Sequence, residues 1–179
     1  MTDPDRSERL QAMLDRSEIL DCLHRYCRGM DRLDRDLARS AYHDDAIDDH
    51  VAYSGPVDGF LDWAFAYHDG QRRHQHYVTN HHVELDGDVA HSETYYLFVG
   101  TMRDDEAPLT VTGGRYIDRF ERREGRWAIA ARQCLVEWMT EQPSLLGPAA
   151  RAFGDAFATI ARDRTDVSYD RPLSVHPRP

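Results

Sequence analysis

The run Gln75-His76-Tyr77-Val78-Thr79-Asn80-His81-His82-Val83-Glu84-Leu85 reads as a strand, and it carries an unusual load of imidazoles and amides for one. Side chains on a strand alternate faces with a period of two. His74, His76, Val78, Asn80 and His82 therefore share one face, and Gln75, Tyr77, Thr79, His81, Val83 and Leu85 share the other. Should the first face line a pocket, a neutral imidazole at His76 becomes a general base, with the Asn80 carboxamide as a hydrogen-bond partner. The same alternation also suits a wet sheet face on which histidines are merely tolerated, so the decision lies elsewhere in the chain.

Two further places offer ionisable groups. Tyr26 lies in the last turn of a predicted N-terminal helix and Asp31 just beyond it. On an ideal helix five residues separate two side chains by about 140°, so these two converge only if the helix stops near Gly29. Otherwise Asp31 is one charge in the alternating stretch Asp31-Arg32-Leu33-Asp34-Arg35-Asp36. The second place is His43-Asp44-Asp45-Ala46-Ile47-Asp48-Asp49-His50, read as a short strand near 46–52 with His50 facing inward. Its carboxylates lack the spacing of a calcium loop or of a histidine-rich zinc motif. His74-Gln75-His76 puts two imidazoles on one face, as some metal sites do, but the expectation is no metal and no cofactor.

The elements that must position these groups follow from periodicity. Ser7 to about Met30 is a helix with Leu10, Leu14, Leu20, Leu23, Cys27 and Met30 on its apolar side. Leu33 to Tyr42 is a shorter helix. Ser54-Gly55-Pro56 is a turn, with Pro56 suited to opening the next helix. That helix, Val57 to about Gly70, is rich in rings, and Trp63 is taken as a pocket residue. From His74 to Met139 four strands follow in hairpins, at about 74–85, 88–102, 109–122 and 127–139. Asp86-Gly87 and Glu124-Gly125 make tight turns, and Gly113-Gly114 marks a bulge or bend. Arg132 falls among Ala128, Ala130, Cys134, Val136 and Trp138, where an arginine is either paired or meeting a ligand. Facing also adds Arg115 to the candidates. A helix over 144–160 and an extended tail over 162–179 close the chain, packed on the body or on a neighbouring subunit.

The 179 residues suit one domain with a real core. A net charge of −10 disfavours nucleic acid, and mean hydropathy is −0.69, with no apolar run long enough to span a bilayer. The polar, acidic N-terminal residues do not read as a signal peptide, so the expected location is the cytoplasm. Lysine is absent and all 22 basic residues are arginine. Imine chemistry on a lysine, pyridoxal phosphate and a P-loop are thereby excluded. Cys22, Cys27 and Cys134 have no redox or zinc spacing and read as buried free thiols.

Helices followed by a curled meander give an α+β fold: a cone-shaped, strongly curved antiparallel sheet, with N-terminal helices covering a deep hydrophobic pocket. The order Ile19-Leu20-Asp21-Cys22-Leu23-His24-Arg25-Tyr26, Gly29-Met30-Asp31, His76-Tyr77-Val78-Thr79-Asn80 and Phe120-Glu121-Arg122-Arg123-Glu124-Gly125-Arg126-Trp127 resembles the SnoaL-like branch of the nuclear-transport-factor-2-like superfamily. The resemblance covers about residues 10–140 and is nearest to its cofactor-free dehydratases and dehydrochlorinases. It implies that Asp31 and His76 form a dyad, that Tyr26 stands where the dehydratases have a tyrosine, and that Arg132 matches a last-strand arginine of the dehydrochlorinases. The dehydrochlorinase lysine at the position of Tyr26 is not found here. His50, Asn80 and Arg115 come from facing alone.

The chemistry is coherent without the resemblance. A carboxylate holding one imidazole N–H fixes the tautomer, and the free nitrogen takes a proton. Tyr26 and Arg132 then serve the leaving oxygen or a developing oxyanion. The expectation is a cone domain over 1–142 and an appended segment over 143–179. Its expected activity is lyase chemistry, by elimination or deformylation, on a small hydrophobic, aromatic or polycyclic hydroxylated molecule. An isomerase or cyclase, a non-catalytic binding or scaffold protein, and a dioxygenase small subunit are the rivals. A homo-oligomer is expected, a trimer ahead of a dimer.

Overall fold

The computed structural model describes residues 5–104, 107–143 and 160–174. Helix α1 (Arg6–Asp31) is followed by a short α2 (Arg35–Arg39), strands β1 (Tyr42–His50) and β2 (Tyr53–Pro56), and helix α3 (Val57–Asp69). A meander follows: β3 (Gln71–Asp86), β4 (Val89–Met102), β5 (Leu109–Arg123) and β6 (Arg126–Gln142). The six strands form one open sheet in the order β2-β1-β6-β5-β4-β3. The meander's ladders are antiparallel, as expected from the hairpin turns, but β1 runs parallel to β6. That ladder brings Asp48 beside Arg132 and His50 beside Cys134, and no local pattern in either strand announces it. Ser54-Gly55-Pro56, read as a turn, is the edge strand β2.

Ile19, Cys22, Leu23, Tyr26, Cys27 and Met30 recur at three- and four-residue steps along α1 and are all buried. The apolar side drawn from sequence begins too early. Leu10 and Leu14 are more than half exposed, because the first buried position is Asp15. Its carboxylate accepts from Trp127 Nε1 at 3.0 Å and from Arg122 at 2.7 Å, which ties the helix to the β5–β6 hairpin.

Gly29 does not end α1. A Cβ there would sit 2.4 Å from the backbone nitrogen of Ala38, so the missing side chain is what lets α2 pack on α1. The chain leaves the helix two residues later, and Leu33 takes the left-handed conformation at φ 50°. At Gly114 a Cβ would lie 1.9 Å from the carbonyl oxygen of Leu135. The β5–β6 register shifts at the same place, between Gly113 and Gly114, and such a bulge bends the sheet over the helices.

The expected helix over 144–160 falls almost wholly outside the described residues. Residues 160–174 lie along the α1–α2 junction. Tyr169 donates to Asp34 at 3.1 Å and sits under the Arg28 guanidinium, while Arg162 reaches the end of α3. No helix among the described residues is long and apolar enough to cross a membrane.

Candidate active site

Between the helices and the concave side of the sheet lies a cavity of about 290 Å³. Its walls are largely aromatic: Tyr26, Phe60, Trp63, Tyr96, Phe98 and Tyr116. Three imidazoles reach it, from His50, His68 and His76.

His76 is held from the end of α1. Its Nδ1 lies 2.7 Å from Asp31 Oδ1, and its backbone N–H donates to both oxygens of the same carboxylate at 3.1 Å. Three contacts from one residue fix ring and strand together. The ionised carboxylate can only accept, so Nδ1 carries the proton and Nε2 keeps its lone pair. The ring packs on Phe98 at 5.0 Å and edge-on to Tyr26 at 6.2 Å. Asp31 is the last residue of α1, so the helix does not stop at Gly29 as convergence was expected to require. Tyr26 and Asp31 reach the same imidazole from different directions, one by its ring and one by its carboxylate.

His50 forms a second imidazole–carboxylate pair. Its Nδ1 lies 3.2 Å from Oδ1 of the fully buried Asp48, whose other oxygen accepts from Tyr42 at 2.7 Å. Burial opposes a charge on His50, but the Asp48 and Cys134 side chains outweigh it and raise the group to about 9. His50 therefore carries a proton near neutral pH.

Behind His76 stands a stack of two neutral histidines. His68 and His74 lie face to face at 4.2 Å. His68 Nδ1 pairs with Gln71 at 2.8 Å, and His74 Nε2 with the Met30 carbonyl at 2.9 Å. Burial, helped by the neighbouring imidazoles, lowers His68 to about 2; for His74 burial leads again and the group falls to about 4. The unfolded chain binds protons near 6.5 that these two refuse when folded. Stability should therefore fall as pH drops below 6.5, by about 1.4 kcal/mol per pH unit for each group, until His74 protonates near 4. His50 has the opposite sign: its contribution is complete below 6.5 and is lost as pH rises through about 9. Together the three predict a maximum of melting temperature near pH 6.5, which a thermal denaturation series from pH 4 to 9 checks.

Asp31, His74 and His76 bring possible ligand atoms within 4.8 Å of one another, the one such group among the described residues. A cation there would have to displace the His74–Met30 and His76–Asp31 hydrogen bonds at once.

A profile of the SnoaL-like domain matches residues 11–133. The chain belongs to the SnoaL-like domain family. None of the curated proteins compared matches the sequence. Among solved structures, hexachlorocyclohexane dehydrochlorinase from Novosphingobium barchaimii superposes with a TM-score of 0.67 at 22% identity, over 76% of this chain and 95% of its own. A putative scytalone dehydratase from Novosphingobium aromaticivorans gives 0.67 at 14%, over 75% and 95%. A Mycobacterium tuberculosis protein of unknown function gives 0.63 at 20%, over 97% and 96%. At these identities the likeness is one of fold.

The other candidates of this SnoaL-like chain fall in three places. Tyr26, His50 and Trp63 line the cavity with His76. Arg132 lies behind the wall, buried, with its guanidinium 4.4 Å from the Tyr26 ring and 4.2 Å from that of Tyr116. It donates twice to Asp118, at 2.7 and 2.8 Å, and once to Tyr42 at 3.4 Å. Asn80 and Arg115 lie off the cavity. The β3–β4 register shifts between Val78 and His81, so inward facing passes from His76 to His81 and Val83, while Asn80 and His82 turn out. Arg115 is an outward residue of β5, paired with Glu93 and Glu137 at 2.8 and 2.5 Å. Asp48, Tyr42 and His68 were missed. His68 lies near the end of α3, a helix read for its rings alone, and the other two gain their meaning from the parallel ladder.

Proposed function

We propose that this protein is a cofactor-independent lyase that eliminates a small group, water first among them, from a flat hydroxylated aromatic molecule of one to three rings. The reading is supported by one observation: Asp31 Oδ1 lies 2.7 Å from His76 Nδ1, with the imidazole on the cavity wall. His76 Nε2 takes a proton from carbon beside a carbonyl, and the resulting imidazolium is stabilised by Asp31. His50, already protonated, and the Tyr26 hydroxyl serve the oxygen that gains charge or leaves. Arg132 acts from behind, through Tyr42 and Asp48. Apart from imidazole, no ionisable group with a charge near neutral pH lines the cavity among the described residues, which suits an uncharged aromatic substrate.

A panel of aryl β-hydroxy ketones in deuterated buffer tests this. The expected result is a conjugated product without added metal or coenzyme. His50→Gln should still exchange the α-hydrogen for deuterium but eliminate at least tenfold more slowly, because the base remains and the acid is gone. Ligands that bind and protect against heat, yet exchange no hydrogen, would instead make the protein a binding module.

A further inference from the structure

Of the imidazoles that reach the cavity, His68 has no part in the proposed elimination. It stands on α3, whose inward line steps by four residues through Phe60, Ala64 and His68. Phe60 stacks on His50 at 4.8 Å, and His68 meets His76 edge to face at 5.5 Å. The line thus runs from the acid to the base over eight residues, about 12 Å of helix. Ala64, in the middle, presents only a methyl group to the cavity.

His68 and His76 differ in what holds Nδ1. For His76 it is the Asp31 carboxylate, which stabilises an imidazolium. For His68 it is Oε1 of the buried Gln71, at 2.8 Å. A carboxamide oxygen can only accept, so His68 Nδ1 carries the proton and Nε2 the lone pair. A neutral amide brings no charge to balance an imidazolium, and His74 covers one face of the ring at 4.2 Å. Burial holds the group down to about 2, so it stays neutral wherever the protein is folded near neutral pH. Such a nitrogen accepts a hydrogen bond without taking the proton. Among the described residues no hydrogen bond engages His68 Nε2. Nor is it sealed: the enclosed polar atoms without partners, among the same residues, belong to Arg32, Arg35, His81 and Ser92. His68 keeps 6% exposure, and that surface faces the cavity.

We infer that His68 is a specificity-determining residue, whose Nε2 accepts a hydrogen bond from a ring hydroxyl of an aromatic ligand in the cavity. If the elimination proposed above is the reaction, this hydroxyl is not the one that leaves, because it lies beside the base and away from His50. The preferred substrate then carries a phenolic hydroxyl at one end and its leaving group toward the other. A ligand with a methyl group in place of that hydroxyl leaves a buried acceptor without a donor, and this loss is what makes a hydroxyl-reading site selective.

The test is calorimetric binding of β-naphthol and of β-methylnaphthalene, matched in shape, to the full chain. β-Naphthol should bind at least tenfold more tightly, although the methyl compound is the more hydrophobic. In His68→Phe the order should reverse, since the hydroxyl is then desolvated with no acceptor. In His76→Phe it should stand, which separates the His68 lone pair from that of the base. If His68→Phe fails to fold with Gln71 stranded, His68→Phe with Gln71→Leu removes both partners and carries the same expectation. No binding of β-naphthol, equal affinities in the wild type, a preference that survives the loss of His68, or one lost as fully in His76→Phe would overturn the assignment. Affinity is read without turnover. A protein that prefers the hydroxyl yet eliminates nothing keeps this site and loses the lyase reading; an active lyase indifferent to the hydroxyl does the reverse.

Discussion

Replacing His76 by alanine is expected to lower kcat on a substrate of the elimination by about 10²–10⁴-fold while the fold persists. That factor is about 3–5 kcal/mol of barrier, the usual contribution of a positioned general base. The fold should survive because the substitution strands no charge. Asp31 keeps both backbone hydrogen bonds from residue 76, which need no side chain. What is lost is packing against Phe98 and Tyr26, a cost of about 2–4 kcal/mol for a buried ring, which melting temperature reports separately. Asp31→Asn probes the same pair from the other side. The carboxamide can present N–H to Nδ1 and so hold the wrong tautomer, with Nε2 protonated and no longer a base. The expected loss again approaches about 10⁴-fold, now with little change in stability. Single-turnover rates within threefold of wild type in either variant would remove the dyad from the mechanism.

The two halves of that dyad were legible in the sequence to different degrees. Alternation put His76 on one face of the strand without saying whether that face was wet, and resemblance made it a site residue; the facing holds because His76 lies before the bulge in β3. Asn80, only four residues on, was misplaced because one extra residue reverses facing and leaves no mark in composition. Asp31 was placed by resemblance; the geometric condition attached to it, a helix end at Gly29, was wrong because Gly29 serves the contact with Ala38. The meander was readable because its turns are local: Asp86-Gly87 and Glu124-Gly125 state their hairpins within two residues. The β1–β6 ladder joins residues 84 apart in the chain, such as Asp48 and Arg132, and nothing near either reports it. This is why the sequence left Arg132 open, as either paired or meeting a ligand, and made Asp48 one acid among many, although the two belong to one buried network. Arg115 suffered a simpler error, since its facing depends on the shift at Gly113–Gly114.

That network supports the second large prediction. Asp118 and Arg132 have side chains with no exposure at all. Burial pushes the Asp118 carboxyl up, while Arg132 is also raised despite burial; the two directions pull against each other, and a two-point contact at 2.7 and 2.8 Å is the geometry of an ion pair. Asp118→Ala leaves the guanidinium buried without its main partner, among Tyr26, Tyr42 and Tyr116. The expected cost is about 3–5 kcal/mol, a large part of the roughly 5–15 kcal/mol that holds a domain together. It corresponds to a fall in melting temperature of about 10 °C at this chain length. Removing both charges is a different experiment. Asp118→Leu with Arg132→Met fills similar volume with apolar atoms and should regain most of the loss, because the desolvation of two ions disappears with their attraction. Turnover should not recover with stability. Arg132 also donates to Tyr42, which donates to Asp48, which holds His50, so the double variant loses the link that keeps the acid in place. Urea denaturation and single-turnover elimination on the same two variants separate the outcomes. A stable double variant with wild-type turnover would reduce Arg132 to a packing residue, and a tolerated Asp118→Ala would mean that the charge is not buried as the geometry describes.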